Sequence, residues 1–330
     1  MQNRMILKNQ LLRWRALWNP DMYHGWSKDK NYFEGWYLKV VDPLGKVSLA
    51  FIPGISFDKE GKRTAFIQVL DGLNAKSHFY AFDAREFNAD EKRFSIQVGN
   101  NLFSSTEMKV DLPQFTGHLK FENPVPWPAN NYGPGVMGWY SFVPFMQCYH
   151  GVVSMDHRLE GALNVYEESI NFKNGRGYIE KDWGRSFPKA WIWMQTNHFT
   201  DAPGTSIMFS IAHIPWLTGA FVGFLAGFLF EGKIYDFTTY NRSKVTIDIE
   251  GHGVKIEMKK KNLLLSIHAQ QAAGADLKSP LDGAMLGKVN ESMNARIHVQ
   301  FSKDNVLLYE GTGTHAGMEM AGELDALLQI

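Results

Sequence analysis

The feature that most restricts the fold is a cadence. From Tyr32 onward, short runs rich in apolar and β-branched residues recur between turn signals. Runs at 32–42, 46–55, 64–71, 77–83, 93–98, 107–112 and 116–122 read as strands, cut by turns such as Asp42-Pro43-Leu44-Gly45 and Asp58-Lys59-Glu60-Gly61. A second series, at 205–213, 219–231, 233–241, 244–250, 253–260, 262–270, 294–301 and 305–313, continues the pattern. Closely spaced strands of this kind fit an all-β sandwich or barrel. At 330 residues the chain has room for two such modules. The reading is a lead-in at 1–30, a first β module at 31–170 and a second at 171–330, with the boundary near 165–175. Residues 123–147, rich in proline, glycine and aromatics, read as a long functional loop or lid. Segment 271–292 reads as a looser connection, and Ala321 to Leu328 as a short helix.

Residues 1–20 depart from the cadence. Leu7, Leu11, Trp14 and Trp18 fall on one helical face, while Arg4, Lys8, Arg13 and Arg15 carry charge with no acid before Asp21. The plainer expectation is a helix whose apolar face packs on its own protein. A basic amphipathic helix also suits an anionic membrane surface, so residues 1–18 are an expected site of peripheral membrane contact. The longest apolar run, Ile214 to Phe230, is broken by Thr218, Gly219, Gly223 and Gly227 and reads as a buried hairpin rather than a membrane span. No signal-peptide pattern opens the chain, and Cys148 is the single cysteine, so a cytoplasmic protein is expected. The 34 basic and 34 acidic residues cancel, which gives no reason to expect a nucleic-acid partner.

The densest chemistry lies between Gly177 and Phe199. Tyr178, Glu180 and Asp182 are two apart and share one face of a strand. Trp183, Trp191 and Trp193 follow, then Asn197 and His198. A carboxyl group desolvated among tryptophans has a raised pKa and can hold a proton near neutrality. The plainer alternative has Glu180 and Asp182 solvated or paired with Lys181 and Arg185. Tyr32-Phe33-Glu34-Gly35-Trp36-Tyr37 echoes Tyr178 to Trp183, which suggests two related modules, each opened by an acid-and-aromatic strand.

Other familiar patterns fail. Gly133-Pro134-Gly135-Val136-Met137-Gly138 has the spacing of a dinucleotide fingerprint but carries proline and no strand–helix–strand context. Gly227 to Lys233 resembles a phosphate loop but is followed by Ile234 rather than a hydroxyl residue. The 11 histidines show no metal-ligand spacing, so no metal is expected.

Tyr23-His24-Gly25-Trp26, Tyr32 to Tyr37, Gly138-Trp139-Tyr140, Pro144 to Gly151 and Gly177 to Phe199 together resemble the tocopherol cyclase family, in the same order along most of the chain. Without a plastid transit peptide, the chain resembles a bacterial-type member, and it is also similar to lipocalin-like cyclases and hydratases. The resemblance implies two lipocalin-like β modules and cofactor-free closure of a prenylated hydroquinone to a chromanol. The expected ligand is therefore an apolar isoprenoid-type small molecule. Such a reaction needs an acid to protonate the tail alkene, aromatic faces beside the developing cation, and a partner for the phenol. Asp182, Glu180 and Glu34 are the candidate acids. Trp183, Trp191, Trp193 and Trp36 are the candidate faces. Tyr178, Asn197, His198, His24 and His150 are candidates to orient the phenol. A non-catalytic carrier of an isoprenoid or lipid, or a related terpenoid cyclase or hydratase, is the alternative reading.

Overall fold

The structure, a computed structural model, describes residues 2–129 and 133–328, with side chains from residue 6 onward. Among these, the expected all-β chain is found, with one α-helix, Gln2–Trp18, and a few short 3-10 turns. The strands form two antiparallel sheets. The twelve-stranded first sheet runs in the order Lys76–Asp83, Arg63–Asp71, Ser48–Phe57, Tyr32–Val41, Arg176–Gly184, Cys148–Val165, Phe115–Glu122, Glu107–Leu112, Asn101–Ser104, Ser95–Val98 and Phe87–Ala89, and Glu168–Asn171 joins Cys148–Val165. The ten-stranded second sheet runs Lys233–Thr238, Gly219–Phe230, Ser206–Trp216, Ala190–Thr196, Val306–Gly322, Ala284–Lys303, Leu263–Gln270, Gly253–Lys260 and Lys244–Glu250, and Ala275–Leu281 joins Ala284–Lys303.

Each sheet curls around its own apolar core. In the first, Phe51 meets Phe115 edge-on at 5.8 Å between ring centroids, although three strands separate theirs. The edge strand Lys76–Asp83 reaches across the same core: Tyr80 donates to Gln114, and His78 lies 2.9 Å from the Tyr166 hydroxyl. In the second, Tyr235 and Phe228 both pack on Phe301, at 4.6 Å and 5.3 Å, and Lys260 pairs with Asp236 at 2.8 Å. A sheet that bends until distant strands touch encloses one face and leaves few open edges.

The chain divides into two compact units. The first takes in the described residues of 1–70, 78–187 and 278–288, and the second those of 71–77, 188–277 and 289–330. The main division thus falls after Phe187 rather than near residue 170. The cause is strand Arg176–Gly184, which pairs with Tyr32–Val41 on one side and Cys148–Val165 on the other. The two echoing motifs therefore do not open separate modules. They lie on adjacent strands of one sheet, with Tyr37 opposite Glu180 and Trp36 opposite Lys181.

Other elements differ from the sequence reading. Cys148–Val165 is an 18-residue strand where none is expected, because Gly151, Gly161 and its charged residues mask the pattern. Segment 271–292 is not a loose connection; it holds strand Ala275–Leu281 and the start of Ala284–Lys303. The apolar run at 214–230 does form a hairpin, with Trp216 paired to Gly219, but its tip is exposed rather than buried, Leu217 being 79% exposed. Among the described residues no helix is long and apolar enough to cross a membrane. In the N-terminal helix Leu12 and Ala16 are buried, while Leu7, Leu11 and Trp14 face outward, so the expected packing face is the exposed one. The Arg4 side chain lies outside the described residues.

If the first core is packed as described, Phe51→Ala leaves a hole beside Phe115. It should cost about 3–5 kcal/mol in denaturant unfolding. A loss below about 1 kcal/mol would mean that the curled sheet does not close there.

Candidate functional site

Alternation along strand Arg176–Gly184 sends Lys181 and Trp183 to one face and Tyr178, Glu180 and Asp182 to the other. The same rule on Tyr32–Val41 puts Tyr32, Glu34 and Trp36 on the face shared with Lys181. Two polar clusters result, one on each side of the same strands.

The core-side cluster is built on a buried ion pair. Lys181 and Glu34 are both fully buried, and Nζ lies 2.6 Å from Glu34 Oε1. The ammonium also donates to the carbonyls of Pro20, at 3.0 Å, and Met22, and to His24 Nδ1 at 2.8 Å. Trp36 and Trp183 each present a ring 4.7 Å from Nζ. Glu34 accepts from the Tyr32 hydroxyl and from the His24 backbone N–H, 3.0 Å from each carboxylate oxygen. Burial by itself would raise the Glu34 pKa, but Lys181 and His24 bring it below the ordinary carboxylate value. Burial, followed by the Lys181 charge, lowers the His24 pKa, which suits a neutral ring accepting from Lys181.

The expectations for four residues change on this face. Glu34 is an ion-paired carboxylate rather than a stored proton, because a full set of donors surrounds it. Trp36 has its indole N–H on the Asp21 carbonyl at 3.0 Å and its ring stacked on Phe94 at 5.4 Å. Trp183 is layered between His24, at 4.3 Å, and Tyr149, at 5.3 Å. The cation these two tryptophans face is Lys181, so neither offers an open ring to a substrate. Gly151 packs against this ring, where an added Cβ would lie a tight 3.3 Å from it. His24, expected as a phenol partner, is instead part of this cluster.

The opposite face carries the candidate acid chain. The Tyr178 hydroxyl donates to Glu180 Oε2 at 2.7 Å, repeating the Tyr32–Glu34 bond two residues apart. His150 pairs in register with Asp182 and lies between the two acids, with Nδ1 2.9 Å from Asp182 Oδ1 and Nε2 3.6 Å from Glu180 Oε2, the second beyond hydrogen-bond reach. Glu180 is buried, whereas the Asp182 side chain is 28% exposed, so the chain runs from the interior toward solvent. Burial, then the Glu180 charge, holds the Tyr178 hydroxyl well above its ordinary pKa, so it stays a donor across the working range. The Tyr178 O–H is thus directed at Glu180. The alternative pairing also fails: Lys181 points away from both acids, and Arg185 reaches Asp282 at 2.7 Å.

The ligand atoms of His150, Glu180 and Asp182 lie within 4.8 Å of one another, close enough to hold a metal ion. Histidine spacing along the chain gave no sign of this, because strand pairing supplies the third ligand.

The remaining candidates belong to the second unit. Trp193 and Asn197 are buried there, Trp191 donates to Glu319 Oε2 at 2.6 Å, and the His198 ring lies 5.2 Å from His315. The sequence reading missed Lys181 as a site residue, and it missed buried Glu291, which pairs in register with Glu319. Acids on long strands of the Glu319 kind carry no local signal.

The buried pair makes a stability prediction. Glu34→Gln leaves a buried ammonium without its counter-ion and should cost about 3–5 kcal/mol, as should Lys181→Met. The double variant should cost clearly less than their sum, because neither charge is then left alone. Since the folded pKa of Glu34 is depressed, its contribution is complete above the unfolded value of about 4.3 and is lost as pH falls through the folded value. Glu34→Gln should therefore flatten the acid limb of the stability–pH curve, and strict additivity or an unchanged limb would contradict the pairing.

Comparison with known proteins agrees with the fold. The tocopherol cyclase-like family model matches residues 118–322. The chloroplastic tocopherol cyclase of Zea mays is 23% identical over an alignment of 382 residues that covers 93% of this chain and 78% of that protein. Among solved structures, CghA superposes with a TM-score of 0.58 at 11% identity, covering 88% of this chain and 89% of its own. A putative AttH from Nitrosomonas europaea gives 0.51 at 15% identity, covering 88% and 93%. These two share the fold. With the family model spanning more than half its length, the chain belongs to the tocopherol cyclase-like family.

Proposed function

We propose that the chain is a cyclase that closes a prenylated hydroquinone to a chromanol, with the Glu180–His150–Asp182 chain as its proton-transfer apparatus. The observation that carries the reading is the placement of buried Glu180 between the Tyr178 hydroxyl and His150, which in turn holds Asp182. Family membership and the tocopherol cyclase named in Zea mays support the choice of substrate class.

In this mechanism a carboxyl of the chain gives its proton to the less substituted alkene carbon of the tail. Positive charge develops at the tertiary carbon, and the phenol oxygen attacks it. One C–H and one C–O bond form, one C=C π bond and one O–H bond are lost, and the phenol proton restores the acid. Substrate and product are isobaric, and no electron acceptor takes part. The chain suits this because a buried carboxyl next to an imidazole and a second acid can be reloaded from the solvent-facing end through His150. Tyr178 fixes Glu180 while leaving the proton inventory to the other groups.

Glu180→Gln and Asp182→Asn should each lower kcat by about 100-fold or more with substrate binding retained. Tyr178→Phe should lower kcat by about tenfold, since it removes a positioning bond. Turnover should fall as pH rises through the titration of the donor, because the donor must carry its proton. A flat profile between pH 5 and 9, or full activity in both acid variants, would overturn the reading. Activity lost to a chelator and restored by a divalent cation would instead make His150, Glu180 and Asp182 metal ligands.

A further inference from the structure

The N-terminal helix turns its apolar stripe away from the protein. Leu7, Leu11, Trp14 and Trp18 are 65%, 56%, 65% and 39% exposed. The opposite face docks the helix: Leu12 and Ala16 are buried, Lys8 pairs with the Glu91 carboxylate, and Arg15 Nη1 donates to the Glu91 carbonyl at 2.9 Å. The stripe is thus a presented surface on a fastened helix. It continues onto a second segment, because the Trp18 ring lies 5.1 Å from Phe142, and Trp139, Phe142 and Phe145 are 45%, 37% and 52% exposed.

Charge indicates what this surface meets. The first 20 residues hold four cations and no acid. Arg13 is exposed beside the stripe, and Lys28 is near enough that, after burial, the Arg13 charge is what lowers its pKa further. Tryptophan and phenylalanine set among aliphatic residues, with lysine and arginine at the flank, match the headgroup boundary of a bilayer. Glu91 takes up the Lys8 charge and leaves Arg13 as the exposed cation beside the stripe, which favours an anionic surface over a basic one.

We propose that the Leu7–Leu11–Trp14–Trp18 stripe, with Trp139, Phe142 and Phe145, docks on an anionic lipid surface. The docked helix would then hold its C-terminal end at the membrane. The chain leaves that end through Pro20 and Met22, whose carbonyls are the acceptors for Lys181. The lipid contact does not depend on the cyclase reading.

The test is co-sedimentation of the full-length protein with phosphatidylcholine vesicles containing or lacking phosphatidylglycerol. Binding should be confined largely to the anionic vesicles and should weaken several-fold as added salt screens the flanking charges. Leu11→Glu with Trp14→Glu should reduce the bound fraction about tenfold, with the thermal midpoint unchanged because both residues are exposed. Failure of the wild type to bind anionic vesicles, or equal binding by the variant, would overturn the proposal. So would a concentration-dependent dimer abolished by the same pair of substitutions in a protein that ignores vesicles; that outcome assigns the stripe to a second copy of the chain.

Discussion

The alternation of side chains along Arg176–Gly184 is the constraint from which the candidate site follows. A strand buried on both faces must place consecutive charged residues in two separate environments. Here Lys181 is turned toward the core with Glu34, and Glu180 with Asp182 away from it. Had Lys181 shared a face with the acids, it would have neutralised them. The cross-strand carboxylate of Glu34 takes up that charge, and the second face gathers Glu180, Asp182 and the His150 imidazole.

The two clusters also differ in what they can do. Glu34 is surrounded by donors, and its proton affinity is lowered. A group in that state stabilises the fold and anchors the Pro20–His24 segment. Glu180 accepts from the Tyr178 hydroxyl and lies beside the His150 imidazole. The tyrosine–glutamate pair thus occurs twice, once beside a buried lysine and once beside an imidazole and a second acid.

Much of this was legible in the sequence. Period-two spacing placed Tyr178, Glu180 and Asp182 on one face, and the strand cadence identified an all-β chain. What was not legible depended on pairing between distant segments. The partner of Lys181 required Tyr32–Val41 to lie beside Arg176–Gly184, and the role of His150 required a strand disguised by Gly151 and Gly161. Applying the alternation rule to Lys181 as well as to the acids would have separated it from them. Trp36 and Trp183 were chosen for their ring faces, and only packing reveals that a lysine already occupies those faces. The helix had apolar residues on two sides, so its pattern alone did not say that Leu12 and Ala16, rather than Trp14, face the core.

The central claim is that a side-chain acid of the Glu180–His150–Asp182 chain protonates an alkene. The most direct measurement is turnover of a prenylated hydroquinone in deuterium oxide, with the product returned to ordinary water before mass analysis. The account predicts a chromanol carrying one non-exchangeable, carbon-bound deuterium at the former alkene, formed only when both carboxylates are present. A product without carbon-bound deuterium, or the same labelled product formed at the same rate by the Glu180→Gln/Asp182→Asn protein, would contradict it.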